Sequence, residues 1–193
     1  MVIDLELFCD RERPFIEKPW SIDDRTYATN GNMLISVPRD ERYAENQEAP
    51  PVREININPD KEGRWVNVSE IKLREKIKCR TCNGSGKVDN CYECDGEGQI
   101  NFTSGYHEYW CDCKTCHEWG KIPGDSIKCE DCNGEGSHFG KYSAIVIEGT
   151  MIAECLVDLC KNLPNAKLFF PHNEQGVIPL VFDGGNGGVM RMN

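Results

Sequence analysis

The chain has 193 residues, enough for one ordinary domain or two small ones whose hydrophobic core needs no disulfides. A formal charge of -10 argues against a general nucleic-acid-binding surface, and no apolar run approaches the roughly 18 residues of a membrane span. Twelve cysteines exceed ordinary usage, and eight of them fall in CxxC pairs between positions 79 and 132, which reads as metal ligation rather than a secreted disulfide framework.

Met1-Val-Ile-Asp opens with no basic region, long apolar run or small-residue cleavage site, so an intracellular, cytoplasmic protein is expected. Unligated cysteines stay thiols there. VIDLELF at 2–8 alternates and is predicted to be extended. RTYATNGNMLISVP at 25–38 is predicted as a hairpin about Asn30-Gly31, a pair that tolerates the positive φ of a tight turn. Residues 38–63, rich in Pro, Glu, Asn and Asp, are predicted as loop. Ser69 is then placed as the cap of a short charged helix, SEIKLREKIK, that leads to the first cysteine.

Four copies of one unit follow: CRTCNGSG at 79–86, CYECDGEG at 91–98, CKTCHEWG at 113–120 and CEDCNGEG at 129–136. Two cysteines separated by two residues supply one edge of a tetrahedral zinc site. The next backbone N–H groups turn towards the thiolates, in a geometry that glycine reaches at little steric cost. Each unit is therefore half a site, and four make two. The third copy departs from the pattern, with Glu118 where the first glycine belongs. Residues 79–136 hold 5 basic against 11 acidic residues, whereas 1–78 hold 13 against 16 and 137–193 hold 4 against 5. The cysteine-rich window is thus the acidic part, the wrong sign for phosphate.

The repeats and their spacing resemble the cysteine-rich domain of DnaJ-type co-chaperones. The resemblance implies an extended, hairpin-like fold with two zinc ions, one shared by the first and fourth repeats and one by the second and third. Carried over by position, Cys79, Cys82, Cys129 and Cys132 form the first site, and Cys91, Cys94, Cys113 and Cys116 the second. Cys111 and His117 stand beside the third repeat as alternative ligands. The His-Pro-Asp tripeptide of a J domain does not occur in these residues, so stimulation of a partner ATPase is not expected. Nested pairing would bring the chain in at Lys78 and out at Ser137 from nearly the same place. Residues 79–136 are accordingly expected as an insertion in a discontinuous host domain made of 1–78 and 137–193.

The second flank begins with YSAIVI at 142–147, predicted as a strand. From Thr150 the positions Ile152, Cys155, Leu156, Leu159, Cys160 and Leu163 have helical spacing, with Glu154, Asp158 and Lys161 opposite and Pro164 as the stop. Cys155 and Cys160 are read as core. AKLFF, GVIPLVF and GGVMRM are predicted as strands, and FDGGNGG at 182–188 as a turn. The host is thus an α+β domain dominated by strands. Its β-α-β-β-β order, with VMRM and YATNGNML, has a weaker similarity to the bacterial sliding clamp, which implies a DNA-transaction accessory role as an alternative.

The expected function is non-enzymatic zinc-dependent binding, because closed four-cysteine sites leave no open coordination position for substrate or water. NFTSGYHEYWCDC at 101–113 carries Phe102, Tyr106, Tyr109 and Trp110. These rings either present a surface to a protein partner or extended polypeptide segment, or cover the second metal site. Thiol–disulfide chemistry is a further alternative, although redox-active CxxC pairs normally stand alone at a helix N-terminus. Cys9, His107, His138 and His172 are scattered, and no Ser-His-Asp arrangement, phosphate-binding loop or HExxH helix is suggested.

Overall fold

A computed structural model describes residues 3–10, 12–46, 62–140, 142–171 and 176–192. The chain forms two compact units, one from Met1–Arg74 with Tyr142–Asn193 and one from Glu75–Lys141.

The first segment opens with a 3-10 turn, Leu5–Phe8, instead of the predicted extended stretch. Leu5 and Phe8, three apart, are both buried, and Asp4 Oδ1 accepts the Glu6 N–H at 3.2 Å. Strands β1 (Trp20–Ile22), β2 (Arg25–Thr29) and β3 (Met33–Pro38) follow. The expected β2–β3 hairpin forms about Gly31, whose φ is 84°, and Asn30 Oδ1 accepts the N–H groups of Asn32 and Met33 at 3.0 and 2.9 Å. Most of the stretch predicted as loop, residues 47–61, lies outside the described residues. Strand β4 (Gly63–Asn67) leads into a 3-10 turn, Val68–Glu70.

The charged helix predicted from Ser69 does not form. Ile71 and Leu73, two residues apart, both pack on the core, which is the period of an extended chain. The Arg74 N–H, which a helix would direct to residue 70, donates instead to Glu154 Oε1 at 2.8 Å.

The second unit contains β5 (Ile77–Lys78), β6 (Lys87–Asn90), β7 (Gln99–Ser104), β8 (His107–Asp112), β9 (Lys121–Pro123), β10 (Ile127–Lys128) and β11 (Ser137–His138). Strands β5 and β11 pair, β6 lies between β10 and β9, and β7 and β8 form a separate two-stranded hairpin.

Returning to the first unit, β12 (Ala144–Ile147) and β13 (Thr150–Ala153) make a hairpin through Glu148-Gly149. Both turn residues have positive φ, 48° and 75°, as a type I′ turn requires. Helix α1 therefore begins only at Glu154 and ends at Cys160. This shortening changes its faces. Leu156, Val157 and Cys160 are buried, Cys155 is exposed and is not core, and Glu154, expected on the polar side, is 1% exposed.

Strands β14 (Lys167–Pro171), β15 (Val177–Phe182) and β16 (Gly185–Met190) form as predicted. Within FDGGNGG only Asp183-Gly184 is turn, and the later glycines belong to β16, where a Cβ on Gly187 would lie 2.2 Å from the Leu34 carbonyl. The main sheet is antiparallel with order β1-β2-β3-β16-β15-β14-β4. Buried side chains of the first 3-10 turn and α1 join Ile35, Leu168, Ile178, Leu180 and Val189 of that sheet in one cluster. No helix among the described residues is long and apolar enough to cross a membrane.

Candidate metal centres

Each CxxC pair runs into two consecutive residues with positive φ: Asn83-Gly84, Asp95-Gly96, His117-Glu118 and Asn133-Gly134. This left-handed turn reverses the backbone over the cysteines. The glycine that ends every repeat then donates its N–H to the second cysteine: Gly86 to Cys82, Gly98 to Cys94, Gly120 to Cys116 and Gly136 to Cys132, each at 3.2 Å. Those four bonds place a positive dipole end against the second sulfur of each repeat.

The repeats meet in nested pairs. Cys79, Cys82, Cys129 and Cys132 form one group and Cys91, Cys94, Cys113 and Cys116 another, with all Sγ atoms of a group within 4.8 Å of one another. Cys79–Cys129 is 3.8 Å, and Cys82–Cys132, Cys91–Cys113 and Cys94–Cys116 are each 3.7 Å. Four sulfurs about 2.3 Å from a common centre form a tetrahedron with edges of about 3.8 Å. The donor set and its spacing therefore fit a zinc ion in each group. All eight side chains are buried, 0% to 6% exposed.

Backbone bonds clasp each pair reciprocally. Cys79 and Cys129 donate to the carbonyls of Gly136 and Gly86, both at 2.9 Å, while Cys91 and Cys113 donate to Gly120 and Gly98 at 2.8 and 2.9 Å. The clasp explains which glycine each repeat must keep. A Cβ on Gly86 would lie 2.2 Å from the Gly134 carbonyl, and one on Gly120 would lie 2.0 Å from that of Gly96. By contrast, a Cβ at Gly84, Gly96 or Gly134 would meet only the side chains of Lys78, Asn90 or Lys128. The third repeat departs at this tolerant position, where Glu118 takes a φ of 73°.

Sequence reasoning missed a further cross-link. Thr81 Oγ1 donates to Asp131, and Thr115 Oγ1 donates to Glu93, so a threonine and a carboxylate bridge the paired knuckles at both groups. The signal was present in the residue before the second cysteine of each repeat, which runs Thr, Glu, Thr, Asp. Val88 packs with the first group, and Ile100 and Ile122 lie against the second.

The thiols within a group differ in acidity. Burial opposes ionisation of Cys82, but the Gly86 N–H and the neighbouring thiols outweigh it and bring Cys82 down to about 6. The same balance, with the Gly98 N–H, brings Cys94 down to about 7. Burial dominates at Cys129 and Cys113, which are pushed up to about 12, and hydrogen bonds with neighbouring thiols add to the rise. The field of a bound dication would favour the thiolate form of every ligand in a group.

The remaining sequence candidates lie elsewhere. Cys111 is exposed on β8 and His117 is exposed in its turn, both outside the two groups of four sulfurs. Cys9 Sγ lies 3.7 Å from the Leu5 carbonyl, and Cys160 is in the core of the first unit. His107 is on β8 and His138 on β11, whereas His172 lies outside the described residues. The aromatic residues do not cover the second group. Phe102, Tyr106, Tyr109 and Trp110 are 50%, 103%, 45% and 61% exposed.

The chain is similar to proteins named chaperone protein DnaJ. That of Chlorobium luteolum is 32% identical over 84 residues, covering 39% of this chain and 22% of that one. That of Syntrophobacter fumaroxidans is 33% identical over 72 residues, covering 35% and 18%. A Wolbachia relative is 35% identical over 65 residues, covering 31% and 17%. The chain thus spans about a fifth of the length of these curated relatives. No protein-family model matches it. No solved structure matches it either, so the similarity of the flanks to the sliding clamp has no support. Together with the two four-cysteine groups, the relatives identify a region that matches the DnaJ-type zinc domain.

Proposed function

We propose that the cysteine-rich unit is a rigid, non-enzymatic binding arm for an extended polypeptide segment, inserted in a strand-dominated host domain. In this reading Cys79, Cys82, Cys129 and Cys132 hold one zinc ion and Cys91, Cys94, Cys113 and Cys116 the other. Four buried sulfurs leave no open coordination position, so the ions order the arm and take no part in chemistry. Structural zinc sites in small peptides show roughly 10–16 kcal/mol of apparent affinity, enough to fix a fold this poor in apolar core. Twelve cysteines with no disulfide among the described residues suit a reducing, cytoplasmic setting.

The observation that carries the proposal is the exposure of the aromatic residues on β7, β8 and their connecting turn. Phe102 and Tyr109, opposite one another, stack with centroids 5.4 Å apart and planes 18° apart, forming a flat apolar platform. Aromatic side chains with few rotamers are the commonest anchors of polypeptide recognition. The name borne by the relatives, chaperone protein, agrees with a polypeptide ligand.

The test is a fluorescence anisotropy titration of the zinc-loaded chain with a labelled, permanently unfolded polypeptide, such as a reduced and carboxymethylated model protein. Saturable binding is expected, weakened at least about tenfold in Phe102→Ser/Tyr109→Ser by loss of two anchors, with two zinc ions retained. Absence of binding, or equal binding by the variant, would reject the arm as a polypeptide site.

A further inference from the structure

We infer that the β7–β8 hairpin selects extended segments in which Lys or Arg alternates with apolar residues, an inference that rests on the binding role proposed above. The first argument is where the charge lies. Residues 88–120, which span the second and third repeats and the hairpin, contain seven acidic residues and one basic residue, Lys114. Residues 79–87 and 121–136, the rest of the cysteine-rich window, contain four of each. The whole net charge of the window therefore sits at the end that bears the exposed rings. A dication held by four thiolates adds about two more negative charges there.

The second argument is the arrangement on the hairpin. Residues two apart on a strand share a face, as do residues directly opposite on the partner strand. Phe102 and Tyr109 are opposite one another on one face, with the ring of His107 edge-on to Tyr109 at 6.4 Å. The other face of β8 presents Glu108, Trp110 and Asp112 in succession. An exposed indole thus stands between two carboxylates, each about 6.8 Å along the strand. Asp112 accepts a long bond of 3.5 Å from Gln99 Nε2, and among the described residues no cation pairs with either carboxylate. A guanidinium or ammonium group over the Trp110 ring would meet its π-face and a carboxylate on either side. Apolar side chains of the same segment have the Phe102–Tyr109 platform on the opposite face of the same narrow ribbon. Charge complementarity commits the surface to a basic occupant. An uncharged apolar segment gains nothing from the two carboxylates of the row, and a second copy of this chain brings its own charge of -10.

The experiment compares three labelled peptides of equal length and apolar content, with Lys/Arg, Ser or Glu at alternate positions, titrated into the full zinc-loaded chain by anisotropy. The basic peptide is expected to bind about tenfold tighter than the serine peptide, the sum expected of one cation–π contact and two exposed ion pairs. Raising the salt from about 0.05 to 0.5 M should shrink that advantage. Glu108→Lys/Asp112→Lys should abolish the preference for the basic peptide while two zinc ions stay bound. Equal binding of all three peptides would overturn the charge inference and leave the proposed arm standing. Binding of none would overturn both, and concentration-dependent dimerisation through the hairpin in sedimentation velocity would replace the basic segment by a second copy.

Discussion

The two units are held together by different means. In the first, a seven-stranded antiparallel sheet shares one apolar cluster with α1 and a 3-10 turn, and Phe8, Leu168, Phe170 and Ile178 are each 0% or 1% exposed. In the second, among the described residues, Val88 is the one buried apolar side chain besides cysteines. Its strands are two to six residues long and lie in separate small sheets. The first unit needs nothing but its own side chains to bury surface. The second has almost no surface to bury, and its order must come from ligation, from the glycine N–H bonds to sulfur and from the reciprocal clasps. Eight buried thiols without a core are a sign that the metal belongs to the fold.

The strongest way to break this contrast is to remove the metal. Treatment with a high-affinity chelator should collapse hydrogen-exchange protection over residues 79–136, because roughly 10–16 kcal/mol of apparent binding free energy per site is lost. Protection in β14, β15 and β16 should survive. If the sheet loses protection in parallel, the two units fold as one and the contrast is wrong.

The complementary experiment removes core. Phe170→Ala is expected to destabilise the first unit by about 3–5 kcal/mol, read by urea denaturation of the main sheet, while two zinc ions stay bound. Loss of zinc from this variant would show that the sites depend on the core of the first unit.

Between these limits lies a polar lock within the first unit. The Glu154 carboxylate accepts the Arg74 N–H and Nε at 2.8 Å each and the Ser143 hydroxyl at 2.5 Å. Burial raises its pKa, but these donors outweigh burial and hold Glu154 below the usual carboxylate range. Its stabilisation is therefore fully present above the unfolded value near 4.3 and is lost as pH falls through the lower folded value. Glu154→Gln should lower the stability of the first unit by about 1–3 kcal/mol at neutral pH and flatten its acid dependence. An unchanged acid limb in the variant would assign that dependence to other groups.

The Asn30-Gly31 hairpin, the last three strands and the CxxC half-sites rest on short-range chemistry, turn φ and ligand spacing, that a single sequence carries, whereas the nested grouping of the half-sites follows from the resemblance to the DnaJ-type domain. The helix at 69–78 was not legible because its outcome depends on Glu154, 80 residues away, taking the Arg74 N–H. The early start assigned to α1 failed for a local reason that propensity obscured. Glu148-Gly149 closes a two-residue hairpin, which turns Thr150–Ala153 into strand and leaves Cys155 exposed. Whether the aromatic residues covered the second site or faced outward was also undecidable from composition, since both readings need the same rings. Ile100 and Ile122, which draw no notice in the sequence, are the residues that pack there.

The finest test concerns the departure in the third repeat. Glu118 holds a φ of 73° without being glycine, at the position where a Cβ is sterically tolerated in the other repeats. A non-glycine residue in this region costs about 1–2 kcal/mol, and glycine returns about 0.5–1 kcal/mol of that through the entropy of the unfolded chain. Glu118→Gly should therefore stabilise the second site by about 0.5–1 kcal/mol, a few-fold slower loss of zinc to a chelator from that site alone. Gly120→Ala in the same repeat should do the reverse and far more strongly, since its Cβ would lie 2.0 Å from the Gly96 carbonyl. Equal effects of the two substitutions would mean that positive φ, and not the clasp between paired repeats, is what the glycines supply. A stabilised second site combined with a lost one would establish that the clasp sets which glycine a repeat can surrender.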